Sequence, residues 1–194
     1  YLSHFAPHNP LQALRDDYDH FHHIEGEFSE ELKVYSGMLK ALDRSVGRIL
    51  DTLEKNNLTD NTLIVLTSDN GGANYIHLSD INKPYRGWKL THFEGGLHVP
   101  FMAKWPNKIE PGIEFNAPIH ANDILPTFAA AAGAELPDDR IIDGVNLLPF
   151  LQNHNSDMPH ETLYWLQGRL QTVLHENWKL ITDHRTGKDW LFNV

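Results

Sequence analysis

A continuous apolar run, Thr62-Leu63-Ile64-Val65-Leu66-Thr67, follows a long amphipathic stretch and ends in Ser68-Asp69-Asn70-Gly71-Gly72. A strand with one face in water alternates polar and apolar residues. This run does not alternate, so it predicts a parallel strand covered on both faces. The stretch before it offers a cover: Leu32, Tyr35, Leu39, Leu42, Val46, Ile49 and Leu53 recur at three and four residues. That spacing predicts one helix over residues 29 to about 57 with a single apolar stripe. Ser29 is the expected N-cap, Glu30 and Glu31 favour the positive end of the helix dipole, and Asn56-Asn57 is the expected stop.

Downstream, Val99-Pro100-Phe101-Met102-Ala103 forms another short apolar run beyond Gly95-Gly96. Asn122-Asp123 is expected to cap a helix reaching Ala132, with Gly133 in the left-handed position that closes it. Helices alternating with buried strands define an α/β layered fold. After Pro137 the character changes. Residues 162–166, 170–174 and 178–182 are short aromatic-rich runs that read as antiparallel strands with tight turns, a small sheet beside the main one. The boundary falls between Asp143 and His160, and no internal repeat is present.

Composition excludes several classes. Lys plus Arg is 16 against 26 for Asp plus Glu, a net charge of −10, which argues against a nucleic-acid binder that depends on concentrated basic residues. A local basic pocket for a small anion is still compatible with that balance. No cysteine is present, so the chain holds no disulfide, thiolate nucleophile or thiolate metal site. No apolar stretch reaches the length of a membrane span. The chain opens on Tyr1 rather than Met, so the lack of a leader carries little weight.

The residues that could carry chemistry lie where α/β sheets bind ligands, beyond the carboxyl ends of strands. Residues 1–5 read as the end of a strand, and Pro7 and Pro10 then hold His8 in a loop. Asp69 and Asn70 follow the second run, offering a carboxylate and an amide oxygen suited to a hard cation such as Ca²⁺. Asp-Asn-Gly-Gly is also an ordinary turn sequence, but a covered parallel strand does not continue into a two-residue hairpin. Arg86 and Lys89 could form an anion pocket, with glycines on either side allowing the backbone close to a ligand. His20, His22 and His23 lack a partner at metal-ligand spacing and read as solvated surface.

Taken in order, Thr67-Ser68-Asp69-Asn70-Gly71-Gly72, Arg86-Gly87-Trp88-Lys89 and Phe93-Glu94-Gly95-Gly96-Leu97-His98-Val99-Pro100 resemble the type I, formylglycine-dependent sulfatases of the alkaline-phosphatase-like superfamily. Ala6-Pro7-His8-Asn9-Pro10-Leu11-Gln12 is similar to the family's histidine loop, and Asp123-Ile124-Leu125-Pro126-Thr127, Asp143-Gly144 and Trp178-Lys179-Leu180 match its later landmarks. The resemblance covers nearly the whole chain and matches the C-terminal part of the family. It implies that residues 1–150 are the later portion of the catalytic domain, part of a sheet covered by helices. Residues 151–194 would begin the small C-terminal antiparallel subdomain.

The resemblance also implies roles. Asp69 and Asn70 would be oxygen ligands of one calcium ion, Lys89 would contact the sulfate and its bridging oxygen, and His8 would bind the sulfate or protonate the departing alcohol. A hydrated formylglycine, made from Cys or Ser in a Cys/Ser-x-Pro/Ala-x-Arg motif, would attack sulfur and later expel sulfate. The substrate would be a small-molecule or carbohydrate sulfate ester, and the setting periplasmic, secreted or lysosomal. Tyr75, His77, Trp88 and His92 are candidates for contact with a ring or sugar.

Two departures stand out. No Cys and no Ser in that motif occurs here, so the nucleophile, its Arg neighbour and the paired aspartates that complete the calcium site are not in this chain. His98 stands where the family often has Arg. Two rival readings are a phosphonate or phosphate ester hydrolase of the same fold and a non-catalytic remnant. The first usually carries His after the metal-binding Asp, where this chain has Asn70. An upstream Cys or Ser motif in the same reading frame would exclude the second.

Overall fold

A computed structural model of the chain describes residues 1–74, 77–78, 81–153 and 157–194. A short helix α1 (Arg15–Asp19) packs on the long α2 (Ser29–Lys55). Strand β1 (Ile64–Thr67) follows, then the short α3 (Glu94–Leu97) and strand β2 (Phe101–Lys104). Helices α4 (Ile124–Ala132) and α5 (Leu148–Leu151) lead into strands β3 (Thr162–Gln167), β4 (Leu170–His175), β5 (Trp178–Asp183) and β6 (Lys188–Asn193).

The long helix forms where its periodicity places it, but its start differs. Phe28 is the N-cap, in left-handed backbone at φ 60°, and Ser29 is already helical with no side-chain cap bond. The buried helix face also differs. Gly37 and Met38 are buried while Leu39 and Ile49 of the apolar stripe are exposed. At Gly37 α1 and the residues leading into it come close: an added Cβ would stand 2.8 Å from the Ala13 Cβ and 3.3 Å from the Asp17 backbone carbonyl carbon. A two-pronged ion pair locks this crossing: Arg44 donates to both oxygens of the buried Asp17 at 2.6 and 2.8 Å. The Arg44 guanidinium holds the Asp17 carboxyl below its ordinary value.

The expected parallel strand is antiparallel. β1 pairs with β2, Ile64 opposite Lys104 and Thr67 opposite Phe101; Ile64 to Leu66 are half-buried rather than covered and Thr67 is exposed. An apolar run specifies burial, not direction, because parallel and antiparallel ladders satisfy the same backbone groups. Direction is set by the segment between, which turns the chain back; Thr67 Oγ1 donates to the Pro100 carbonyl at 2.9 Å to close it. Residues 1–5 form no strand, and the peptide bonds before Pro7 and Pro10 are cis.

Helix α4 forms where expected and Gly133 closes it at φ 65°, but its N-cap Asp123 makes no side-chain bond to the helix. His120 and Asp123 instead form a reciprocal capping box around the 3-10 turn Ala121–Asp123 that leads into it. Asp123 is fully buried, and its carboxylate accepts from the His120 amide at 2.7 Å, the Val145 amide at 2.9 Å and His160 Nε2 at 2.9 Å. One carboxylate thus ties α4 to the connection towards the C-terminal sheet. Gly144 lets that connection pass: a Cβ there would lie 2.0 Å from the Asn122 carbonyl oxygen.

The small sheet is an antiparallel meander in the order β3-β4-β5-β6. Three of its strands match the expected runs; the fourth, β6, was not anticipated. Gly168, at φ 56°, begins the two-residue β3–β4 loop, and Gly187, at φ 66°, ends the loop before β6. Left-handed glycines at such places are what tight hairpins need.

Candidate active site

Asp69 and Asn70 lie just past the end of β1, as the sequence places them. Asp69 is exposed. The Asn70 amide nitrogen donates to the Gly71 carbonyl at 3.1 Å, which turns its oxygen the other way. Ser68 Oγ donates to the Asn70 carbonyl at 2.9 Å and tightens the turn. The two side chains therefore present a carboxylate and an amide oxygen from adjacent residues, a donor set that fits a hard divalent cation. Such a cation takes about six to eight oxygens, so these two residues supply a minority of the ligands. Among the described residues, no cluster of three or more His, Cys, Asp or Glu side chains is placed to hold a metal.

Lys89 does return to this edge. Its backbone amide donates to the Gly72 carbonyl at 3.0 Å, so the lysine loop is bonded to the Asp-Asn loop two residues beyond Asn70. Asn82 secures the junction. Its Oδ1 accepts from the Gly72 amide at 2.8 Å, and its Nδ2 donates to the Gly72 and Gly87 carbonyls, each at 3.0 Å. Its sequence context, Asn82-Lys83-Pro84, reads as an ordinary turn and carries no signal of this role.

The glycines around the site bring backbone against backbone. A Cβ on Gly71 would stand 1.8 Å from the Gly95 carbonyl oxygen, one on Gly95 2.4 Å from the Gly87 carbonyl oxygen, and one on Gly96 2.1 Å from the Thr91 carbonyl oxygen. Hydrogen bonds from Gly71 N to Gly96 O at 3.1 Å and from Gly95 N to Arg86 O at 2.7 Å stitch the three segments. No side chain longer than hydrogen fits at these crossings.

Around this knot the remaining candidates divide. His8 lies in an exposed loop, with its Nδ1 2.8 Å from the Asn9 carbonyl oxygen and its ring 5.4 Å from that of Phe5. Arg86 is exposed and lays its guanidinium over the Phe93 ring at 4.2 Å. His92, expected to meet substrate, is 3% exposed and bonded to Thr172 Oγ1 of β4 at 2.8 Å. Burial, and then the neighbouring Lys179 charge, hold its imidazole below the ordinary value. Tyr75 lies outside the described residues. His77 and Trp88 line one cavity with Phe28.

Glu94, which the motif reading left without a role, joins α3 to β5. Lys179 of β5, buried at 2% exposure, donates to its Oε1, and His98 Nδ1 lies 3.1 Å from its Oε2. His98 also stacks on Tyr85 at 4.5 Å, so the residue that departs from the family's frequent Arg is engaged in local packing. Phe93 meets Trp190 and Phe192 of β6 edge to face at 5.7 and 5.9 Å. The small sheet is thus pinned to the segment that carries the glycine knot.

The α/β arrangement with an antiparallel C-terminal sheet is the alkaline-phosphatase-like fold of sulfatases. It superposes on the crystal structure of Ps i-CgsB with a TM-score of 0.89 and 37% identity, covering 100% of this chain and 42% of that one. The Sulfatase family model matches residues 1–134, and the model for the N-sulphoglucosamine sulphohydrolase C-terminal region matches residues 87–190. The chain belongs to the sulfatase family. It is 43% identical to steryl-sulfatase of Rattus norvegicus over 136 residues, which cover 67% of this chain and 24% of the relative. It is 36% identical to the sulfatase YdeN of Escherichia coli over 177 residues, 91% of this chain and 31% of that protein. A phosphonate monoester hydrolase from Silicibacter pomeroyi shares the fold alone, at 22% identity and a TM-score of 0.68. The chain spans less than a third of the length of these curated relatives.

Proposed function

We propose that this chain is the C-terminal part of a calcium-dependent sulfatase that hydrolyses a sulfate monoester to an alcohol and sulfate. The observation that carries the reading is the junction of the Asp69-Asn70 loop with the Lys89 loop, through the Lys89–Gly72 backbone bond and the Asn82 clamp. It supports the reading by joining the backbone of the loop that carries the oxygen donors to that of the loop that carries the Lys89 charge. The nucleophile, a formylglycine, belongs to residues outside this chain and would supply the attack on sulfur.

Asp69 and Asn70 would contribute part of the oxygen cage of one Ca²⁺, which neutralises the sulfate oxygens when bound. Lys89 holds its ammonium towards the sulfate and stabilises the charge that grows on the bridging oxygen as the ester bond breaks. His8 orients the sulfate or hands a proton to that oxygen as the alcohol leaves. A carbohydrate sulfate is the favoured substrate, since Ps i-CgsB, 37% identical to this chain, has been crystallised with k-i-k-neocarrahexaose. A periplasmic, secreted or lysosomal setting accompanies the family reading. Asn70, in place of His after the metal-binding Asp, favours sulfate over phosphonate chemistry.

The test uses an enzyme that carries these residues together with a formylglycine segment. Lys89→Ala lowers turnover on the order of 100- to 1,000-fold and leaves calcium affinity nearly unchanged. Asn70→Ala weakens calcium binding, and added calcium restores part of its activity. His8→Ala slows an alkyl sulfate more than an activated aryl sulfate, because a general acid matters most for a basic leaving oxygen. Loss of calcium from Lys89→Ala with retention by Asn70→Ala reverses the assignment. The 194-residue chain alone is expected to give no sustained turnover of an aryl sulfate with calcium above its Lys89→Ala control, because it holds no formylglycine precursor motif.

A further inference from the structure

We infer that Lys179 of the small sheet is a positioning residue for the Asp69-Asn70 loop, acting through Glu94 and the two glycines that follow it. The inference rests on the calcium reading of Asn70 given above. It adds to that reading a residue from a part of the chain that carries none of the proposed ligands.

Residues 92 to 96 face two ways. The first three grip the sheet, each on a different strand. His92 is bonded to Thr172 Oγ1 of β4 at 2.8 Å, Phe93 meets Trp190 and Phe192 of β6, and Glu94 accepts from Lys179 of β5. The next two, Gly95 and Gly96, are buried beneath the site loops. The Gly96 carbonyl accepts from the Gly71 amide at 3.1 Å, and the Gly95 amide donates to the Arg86 carbonyl at 2.7 Å. A Cβ on Gly71 would stand 1.8 Å from the Gly95 carbonyl oxygen, so these backbones touch. Gly71 in turn holds its neighbour: its carbonyl accepts the Asn70 side-chain amide at 3.1 Å and so fixes where the Asn70 oxygen faces. From Lys179 to that oxygen, the connection runs through three hydrogen bonds and the first residues of α3.

Stability alone does not account for the ion pair. Lys179 is 2% exposed, with its ammonium 5.7 Å from the centre of the Trp165 ring of β3. Burying an ammonium costs solvation, and an apolar pair of similar volume often holds a fold as well or better. What a charged hydrogen bond adds is direction. Helix α3 is four residues long and has little packing of its own to fix its rotation. Apolar contacts would let it turn against the sheet, whereas a carboxylate bonded to a buried ammonium holds it in one orientation. A turn of α3 would carry Gly95 and Gly96 with it, and Gly71 and Asn70 after them.

The experiment separates position from stability with Lys179→Met and with the double variant Lys179→Met/Glu94→Leu, which leaves no orphaned charge. Hydrogen exchange is followed in the 194-residue chain without metal. In both variants the Gly71 amide exchanges on the order of five- to ten-fold faster than in wild type, the fold-change of one hydrogen bond. In the double variant the amides of β4 and β5 keep their wild-type rates. Calcium affinity is measured in the longer enzyme used to test the proposed function. Its Kd rises about ten-fold in both variants, the low end for partners that orient a metal ligand. If the pair is merely structural, Gly71 protection and calcium affinity return together with the melting temperature in the double variant, and that result overturns the inference. A wild-type Kd and wild-type Gly71 exchange in Lys179→Met overturn it as well. A Lys179→Met chain that fails to fold leaves the double variant to decide by the same two readouts. If wild type binds no calcium, or Asn70→Ala binds it as tightly, the calcium reading fails instead, and Gly71 exchange alone decides whether Lys179 positions the loop.

Discussion

The small C-terminal sheet and the loop platform at residues 68–98 are held together in opposite ways. In the sheet, β3 to β6 follow one another as neighbours, each hydrogen-bonded to the next in sequence. Its glycines sit in turns with open space around them: a Cβ on Gly168 would meet nothing within 4 Å. Among its described residues the platform has one short helix, α3, and otherwise loops and turns. It is fastened by backbone crossing backbone at Gly71, Gly95 and Gly96, and by one amide side chain that bonds two glycines at once. A local ladder tolerates change at its margins because each strand has its own register. A knot of crossings does not, because one added methyl separates segments on which everything else depends.

Paired glycine substitutions break that comparison most directly. Gly71→Ala places a methyl carbon inside the Gly95 carbonyl, and its cost reaches about 4 kcal/mol or more, in the class of exceptional single substitutions. Gly168→Ala meets no obstacle beyond its positive φ, and costs about 1 kcal/mol. Urea denaturation of the two variants measures the gap, and equal midpoints would show that the knot is looser than its distances say. Next in size is the pin between the two regions. Lys179→Met leaves Glu94 without its buried partner and costs about 3 kcal/mol. That is the lower end for such pairs, because the Glu94 side chain keeps 26% of its surface exposed. Lys179→Met with Glu94→Leu recovers part of the loss, since replacing both members leaves no orphaned charge.

Smaller effects sharpen the contrast. Asn82→Asp keeps an acceptor for the Gly72 amide and removes the donor to the Gly72 and Gly87 carbonyls, at about 1–3 kcal/mol. Hydrogen exchange then speeds at Gly72 and Lys89 and stays unchanged in β4 and β5. Uniform acceleration through both regions would mean that the clamp supports the whole chain. The smallest effect belongs to His92. Its folded pKa lies below its unfolded value, so the unfolded chain takes up a proton that the folded chain refuses as pH falls through about 6.5. Stability from this group is complete above that pH and declines below it. His92→Asn therefore narrows the difference in melting temperature between pH 7.5 and pH 5.5.

What could be read from residues alone follows this division. Short-range patterns were legible: α2 from its apolar spacing, α4 from Gly133 at its end, three strands of the small sheet from their aromatic runs, and the Asp69-Asn70 and Lys89 loops from their motifs. Each depends on residues a few positions apart, where periodicity, caps and turn chemistry act. The direction of β1, the bare portion of the α2 stripe, and the burial of His92 against Thr172 were not legible. Nor were the work of Asn82 and Glu94 and the meeting of Phe28 with His77. These are pairings across tens of residues, selected by which backbone segments can approach one another. An asparagine in a turn and an asparagine clamping two glycines have the same sequence signature. Only the tertiary structure, by bringing Gly72 and Gly87 within reach of one amide, makes the second.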